Sequence, residues 1–202
     1  QWELKWGNGQ TISLYLDLLS YGLGDEGKGA LKIAIVEMID GIGYMGVAPL
    51  FGLTLYEGTS STAVIGMHTL NEYGNVEPNS QELIFETIAH EIAHFLGLRH
   101  TTSTPDDRTV SRDQSILEDG LSDTPYNPLC GAALNGQSAY VVQKSSLPFQ
   151  ARILSQFSQR EQCPDVENLM FPLAVDGVRQ TQLTPSQGAV MRANLHLLSR
   201  AY

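Results

Sequence analysis

The sequence predicts an α/β (α+β) domain with an irregular second half, and three observations carry that reading. Stretches of strand-forming and helix-forming character alternate up to residue 100. Beyond Thr101 the texture changes: Pro, Asp, Ser and Gly dominate to about residue 130, and few long periodic segments appear before 185. A regular helical pattern then closes the chain. With 202 residues, 42% apolar and 17% charged, the chain can bury a sizeable core and is too apolar to be disordered. It is read as a single domain, 1–202, with an upper part (1–100) and a lower part (101–202).

The elements follow in order. Thr11–Leu18 (TISLYLDL) is rich in strand formers and partly alternates, which predicts a strand. Gly22–Gly29 is a glycine-rich acidic loop. From Ala30 to about Asp40, apolar residues at Leu31, Ala34, Ile35, Met38 and Ile39 follow helical spacing, so a helix is expected there, ended by GIGYMG. Phe51–Tyr56 (FGLTLY) and Thr62–Leu70 (TAVIGMHTL) read as strands separated by EGTSS. After the loop Asn71–Ser80, a helix should start near Asn79 or Ser80. Glu82 lies in its first turn, and Leu83, Ile84, Thr87, Ile88 and Ile92 form its apolar stripe. Gly97 should stop it, because glycine takes the left-handed conformation at a helix C-terminus without strain. The last helix, in LTPSQGAVMRANLHLLSR, should be capped by Thr184 with Pro185 at its first position.

Composition narrows the function classes. A net charge of −10, with twelve basic residues spread thinly, argues against nucleic-acid binding, because phosphate backbones demand clustered Lys and Arg. No apolar run approaches the ~20 residues that span a membrane; the longest candidate, Ala30–Ile39, is interrupted by Lys32 and Glu37. Starting on Gln1 rather than Met, the chain is expected to be a processed or trimmed piece, with targeting or pro-segments upstream. The two cysteines, Cys130 in NPLCG and Cys163 in QCPD, are expected to form one bridge closing a long loop. Two separate buried thiols are the other reading.

The chemistry concentrates in HEIAHFLGLRH, residues 90–100, which holds three of the five histidines. Residues four apart on an α-helix share a face, so His90 and His94 can present imidazoles to one ion. Glu91, rotated by about 100° from His90, can reach a water without being a ligand. A turn at Gly97 lets His100 swing back as the third ligand. Three neutral histidines leave a fourth zinc position for water, as in a catalytic rather than a structural site, with Glu91 as the general base. A lone histidine on an apolar helix is ordinarily a packed or surface residue, and HExxH by itself arises by chance. The longer HExxHxxGxxH pattern, which includes a glycine with a backbone role, is far harder to reach accidentally.

His90-Glu91-x-x-His94-x-x-Gly97-x-x-His100 resembles the signature of the metzincin metalloendopeptidases. NLMFP, residues 168–172, looks like the methionine turn of that family, with Met170 as an apolar floor under the histidines; taken alone, Met170 reads as a core methionine. GLRHTTS, then DGLSDTP, Cys130, Cys163, NLM and the closing LTPSQGAVMR are similar in order to the pappalysin branch. Pro172 stands where some branches carry a tyrosine ligand, and in that respect NLMFP resembles matrixins.

The resemblance covers roughly residues 83–200 and has several implications. They are a mixed sheet with backing and active-site helices over an irregular lower part, a Zn2+ cofactor, and a monomeric secreted endopeptidase. Its polypeptide substrate would lie extended along an edge strand, either FGLTLY or TAVIGMHTL. Phe171, Pro172 and Leu173 would wall the pocket past the scissile bond, and their apolar character points to a hydrophobic side chain there. Asp119, Asp123 and the Thr124 carbonyl would hold Ca2+; an acidic loop is otherwise a solvated one. His68 and His196 read as ordinary histidines. Two other functions stay open. One is a zinc-binding or adhesion module without catalysis, against which Glu91 stands as a residue such a module has no need to keep. The other is a zinc hydrolase acting on a non-peptide substrate.

Overall fold

The computed structural model describes residues 31–39, 45–48, 62–70, 75–102, 119–124, 163–172, 174 and 178–200. Among them are four strands, β1 (Lys32–Met38), β2 (Gly46–Val47), β3 (Thr62–Leu70) and β4 (Val76–Pro78), and two helices, α1 (Gln81–Phe95) and α2 (Pro185–Arg200). The result is a mixed α+β fold with an open sheet. Two compact units partition the chain: Gln1–Thr69, Val76–Gly97 and Val190–Tyr202 in the first, Leu70–Asn75 and Leu98–Ala189 in the second.

In the first unit the described strands run in the order β1–β3–β2, and β4 also pairs with β3. β1 and β3 are parallel, from Lys32 opposite Thr62 to Met38 opposite His68. β2 runs antiparallel to β3, with Gly46 opposite Ile65 and Val47 opposite Val64. Ile39 and Val64 are buried, with Ala34, Val36 and Val47 packed against them.

Two expectations are corrected here. Residues 31–39 of the expected 30–40 helix are not helical; Lys32–Met38 form β1. The apolar positions that imitate helical spacing come from a strand apolar on both faces. Ala34 and Val36 join the core, while Ile33 and Ile35 point the other way and are exposed. β-Branched Ile33, Ile35 and Val36 suit a pleated ladder better than a helix. Accordingly GIGYMG does not end a helix, since Gly46 belongs to β2. TAVIGMHTL is not an edge strand either, because β3 has β1 on one side and β2 on the other. TISLYLDL and FGLTLY lie outside the described residues. The loop expected before α1 contains β4, and Asn79, which follows it, donates from its backbone N–H to the Met67 carbonyl (2.8 Å).

α1 begins as its sequence dictates. Ser80 is the N-cap, its hydroxyl accepting from the Leu83 N–H at 3.2 Å. Glu82 sits in the first turn. At the other end Gly97 has φ +92°, which a side chain rarely tolerates. The Leu96 carbonyl, orphaned by that turn, accepts from the Asn194 amide of α2 at 2.8 Å.

In the second unit, Pro185 starts α2 after a reciprocal capping box. The Gln187 N–H donates to the Thr184 hydroxyl at 3.2 Å, and the Gln187 side chain accepts from the Thr184 N–H at 2.9 Å. Cys163 is buried and disulfide-bonded; Cys130, the chain's other cysteine, lies outside the described residues.

Candidate metal centre

Helical geometry brings His90 and His94 together one turn apart, their rings edge to face with centroids 4.6 Å apart. The chain leaves the helix through Gly97, and His100 follows three residues later. Ligand-capable atoms of His90, His94 and His100 all lie within 4.8 Å of one another. Among the described residues this is the one grouping of three or more His, Cys, Asp or Glu side chains with such spacing. Four-coordinate zinc commonly takes imidazole nitrogens as ligands, and these three residues would be the ones to hold it. Three imidazoles suit Zn, Cu, Fe or Ni rather than Mg or Ca.

Glu91 is 5% exposed, and burial pushes its carboxyl up to about 8. A carboxylate this poorly solvated favours the protonated form unless a cation stands nearby. Three imidazoles with a buried carboxyl next to them fit a divalent ion. The packing of β2 brings the carboxylate close to the sheet: a Cβ placed on Gly46 would lie 2.5 Å from Glu91 Oε1.

In the second unit, Met170 is fully buried at 0% exposure, in the run of turns over residues 164–170. Its carbonyl accepts from the N–H of Thr101, the residue after His100, at 3.0 Å. The turn is fastened by a buried amide pair that sequence reading missed. The Asn168 side chain donates to Gln187 Oε1 at 3.0 Å, and the Gln187 amide returns a bond to Asn168 Oδ1 at 3.1 Å. The same Asn168 oxygen accepts from the Met170 N–H at 2.8 Å. The Thr184-x-x-Gln187 spacing was a usable signal for the cap; nothing in the sequence announces the second bond to Asn168. Phe171 is 1% exposed and belongs to the interior, Pro172 is partly exposed, and Leu173 lies outside the described residues.

The two aspartates expected at calcium are occupied locally. Asp119 accepts from the Leu121 N–H at 3.0 Å and from the Thr124 hydroxyl. Burial foremost, with smaller contributions from Asp123 and Asp165, raises its pKa against those hydrogen bonds. Asp123 accepts from Ser186 N–H and the Thr184 hydroxyl, both at 3.0 Å, so it caps the first turn of α2. The Ser186 N–H is the chief cause that holds its carboxyl below the ordinary value. His68 Nδ1 pairs with the Glu37 carbonyl at 3.0 Å, and His196 is exposed on α2.

Comparison of the chain with family models, with curated proteins and with solved structures finds no match in any of the three.

Proposed function

We propose that this chain is a zinc-dependent endopeptidase of metzincin type. One observation carries the reading: three histidines of an HExxHxxGxxH stretch converge within 4.8 Å, and the Glu91 carboxyl beside the first is buried instead of solvated. His90, His94 and His100 would hold the metal, and Zn2+, when bound, supplies Lewis-acid polarisation of a carbonyl and acidifies water. Glu91 acts as general base: it takes a proton from the attacking water and returns it to the leaving amine. Met170 supports the turn next to His100 without ligating.

The substrate reading follows from the sheet. β2 ends the described strand order, and an extended peptide would add to it by main-chain pairing. β2 is also the strand that approaches Glu91, which would bring a bound peptide bond to the base.

The test is hydrolysis of casein or a quenched fluorogenic peptide, with and without a zinc chelator, by wild type and Glu91→Ala. Chelation should abolish cleavage. The variant should retain metal and lose about 10²–10⁴-fold in kcat, the usual worth of a positioned base. Undiminished cleavage by Glu91→Ala would remove the residue from this role.

A further inference from the structure

We propose that Gly46 is the positioning residue for Glu91: its missing side chain is what gives the carboxylate its seat. A Cβ at position 46 would fall 2.5 Å from Glu91 Oε1, 2.7 Å from Glu91 Cγ and 2.8 Å from Thr87 Cγ2. Real Cβ contacts essentially never close to such distances, so a substitution must displace either the strand or both Glu91 and, by a smaller amount, Thr87. The strand is pinned by its ladder to Ile65 and Val64 and by the Gly66 N–H bond to the Met45 carbonyl at 2.8 Å. Thr87 is held in its rotamer by its hydroxyl, which donates to the Leu83 carbonyl at 2.8 Å. Glu91 has the longest and most adaptable side chain of the three, so it gives way. Any side chain at 46 therefore moves the carboxylate furthest, and a shift of a few tenths of an ångström between β2 and Thr87 relieves the remaining contact. The inference rests on the proposed function only for its catalytic consequence; the steric contact stands apart from it.

Gly66 on β3 supplies the control, since a Cβ there meets nothing closer than 3.5 Å, an ordinary contact. The experiment is a double-mutant cycle on the full chain without metal, followed by kinetics with metal. Gly46→Ala should lower Tm by about 3 °C or more in the Glu91 protein. In the Glu91→Ala background, which removes two of the three close atoms, the loss should fall below half of that, whereas Gly66→Ala should shift both backgrounds equally. With zinc restored at unchanged stoichiometry, Gly46→Ala should lower kcat at least about tenfold and leave KM near wild type. That split is expected because a Cβ stands off the sheet face and leaves the hydrogen-bonding edge of β2 untouched. If Gly46→Ala does not fold, folding of Gly46→Ala/Glu91→Ala upholds the proposal, and failure of both overturns it. Equal Tm losses in the two backgrounds, or wild-type kcat in Gly46→Ala, would also overturn it. Absence of peptidase activity in wild type would count against the proposed function alone, because the stability cycle still decides the contact.

Discussion

Residues 81–100 and residues 163–172 are held in place by different means. The first stretch is a helix as far as Phe95, with its start and end set locally by the Ser80 cap and the turn at Gly97. Its chemistry is displayed by spacing alone. The second has little regular structure, and its turn is fixed by side chains from elsewhere in its unit. Asn168 is tied to Gln187, the Gln180 amide donates to the Val166 carbonyl at 3.1 Å, and Thr102 donates to Asp165 at 3.1 Å. The lesson is that the ligand-bearing region should tolerate loss of its functional groups without loss of fold, while the supporting region should not.

The sharpest break in that contrast is His94→Ala. Removing one of the three proposed ligands should weaken metal binding by more than the roughly 10–100-fold that outer-shell changes cost. Far-ultraviolet circular dichroism of the metal-free protein should stay near wild type, and competition with a chromogenic chelator measures the affinity. Next comes Asn168→Ala, which strands the buried Gln187 amide and the Met170 N–H. It should cost about 1–3 kcal/mol in urea unfolding. Asn168→Ala/Gln187→Ala should cost less than the sum of the two single changes, because the partners act as one unit.

Asp123→Asn is the mildest change and is read through pH. The native carboxyl titrates below its ordinary 3.8, so ionised Asp123 stabilises the folded chain above that pH, and the contribution is lost as pH falls through the native value. The urea midpoint of the variant should lie below wild type at neutral pH and converge with it in acid. A gap that persisted in acid would assign the effect to something other than the charge on this cap.

How far the sequence could be read follows the same division. α1, its Ser80 cap and the turn at Gly97 were legible because their causes lie within a few residues. So were α2, Thr184 and Pro185. β1 was not: KIAIVEM carries a helical period by coincidence, and what makes it a strand is pairing with β3, which no local pattern announces. The same blindness hid that β3 is interior and β2 outermost among the described strands. Of the candidate site, His90, His94, His100 and Glu91 follow from helical geometry and a turn. Gly46 and Asn168 act through approach and reciprocal bonding across the fold, and appear only once the chain is closed. Asp123 was read as a calcium ligand from its acidic neighbourhood; its carboxylate accepts from the Ser186 N–H, a partner that sequence distance concealed.

Elemental analysis of the purified, zinc-reconstituted chain beside His94→Ala decides whether the three histidines hold a metal. One zinc per wild-type chain should remain after exhaustive dialysis, and almost none in the variant. Wild type without stoichiometric metal, or equal metal in both proteins, would contradict the proposed site.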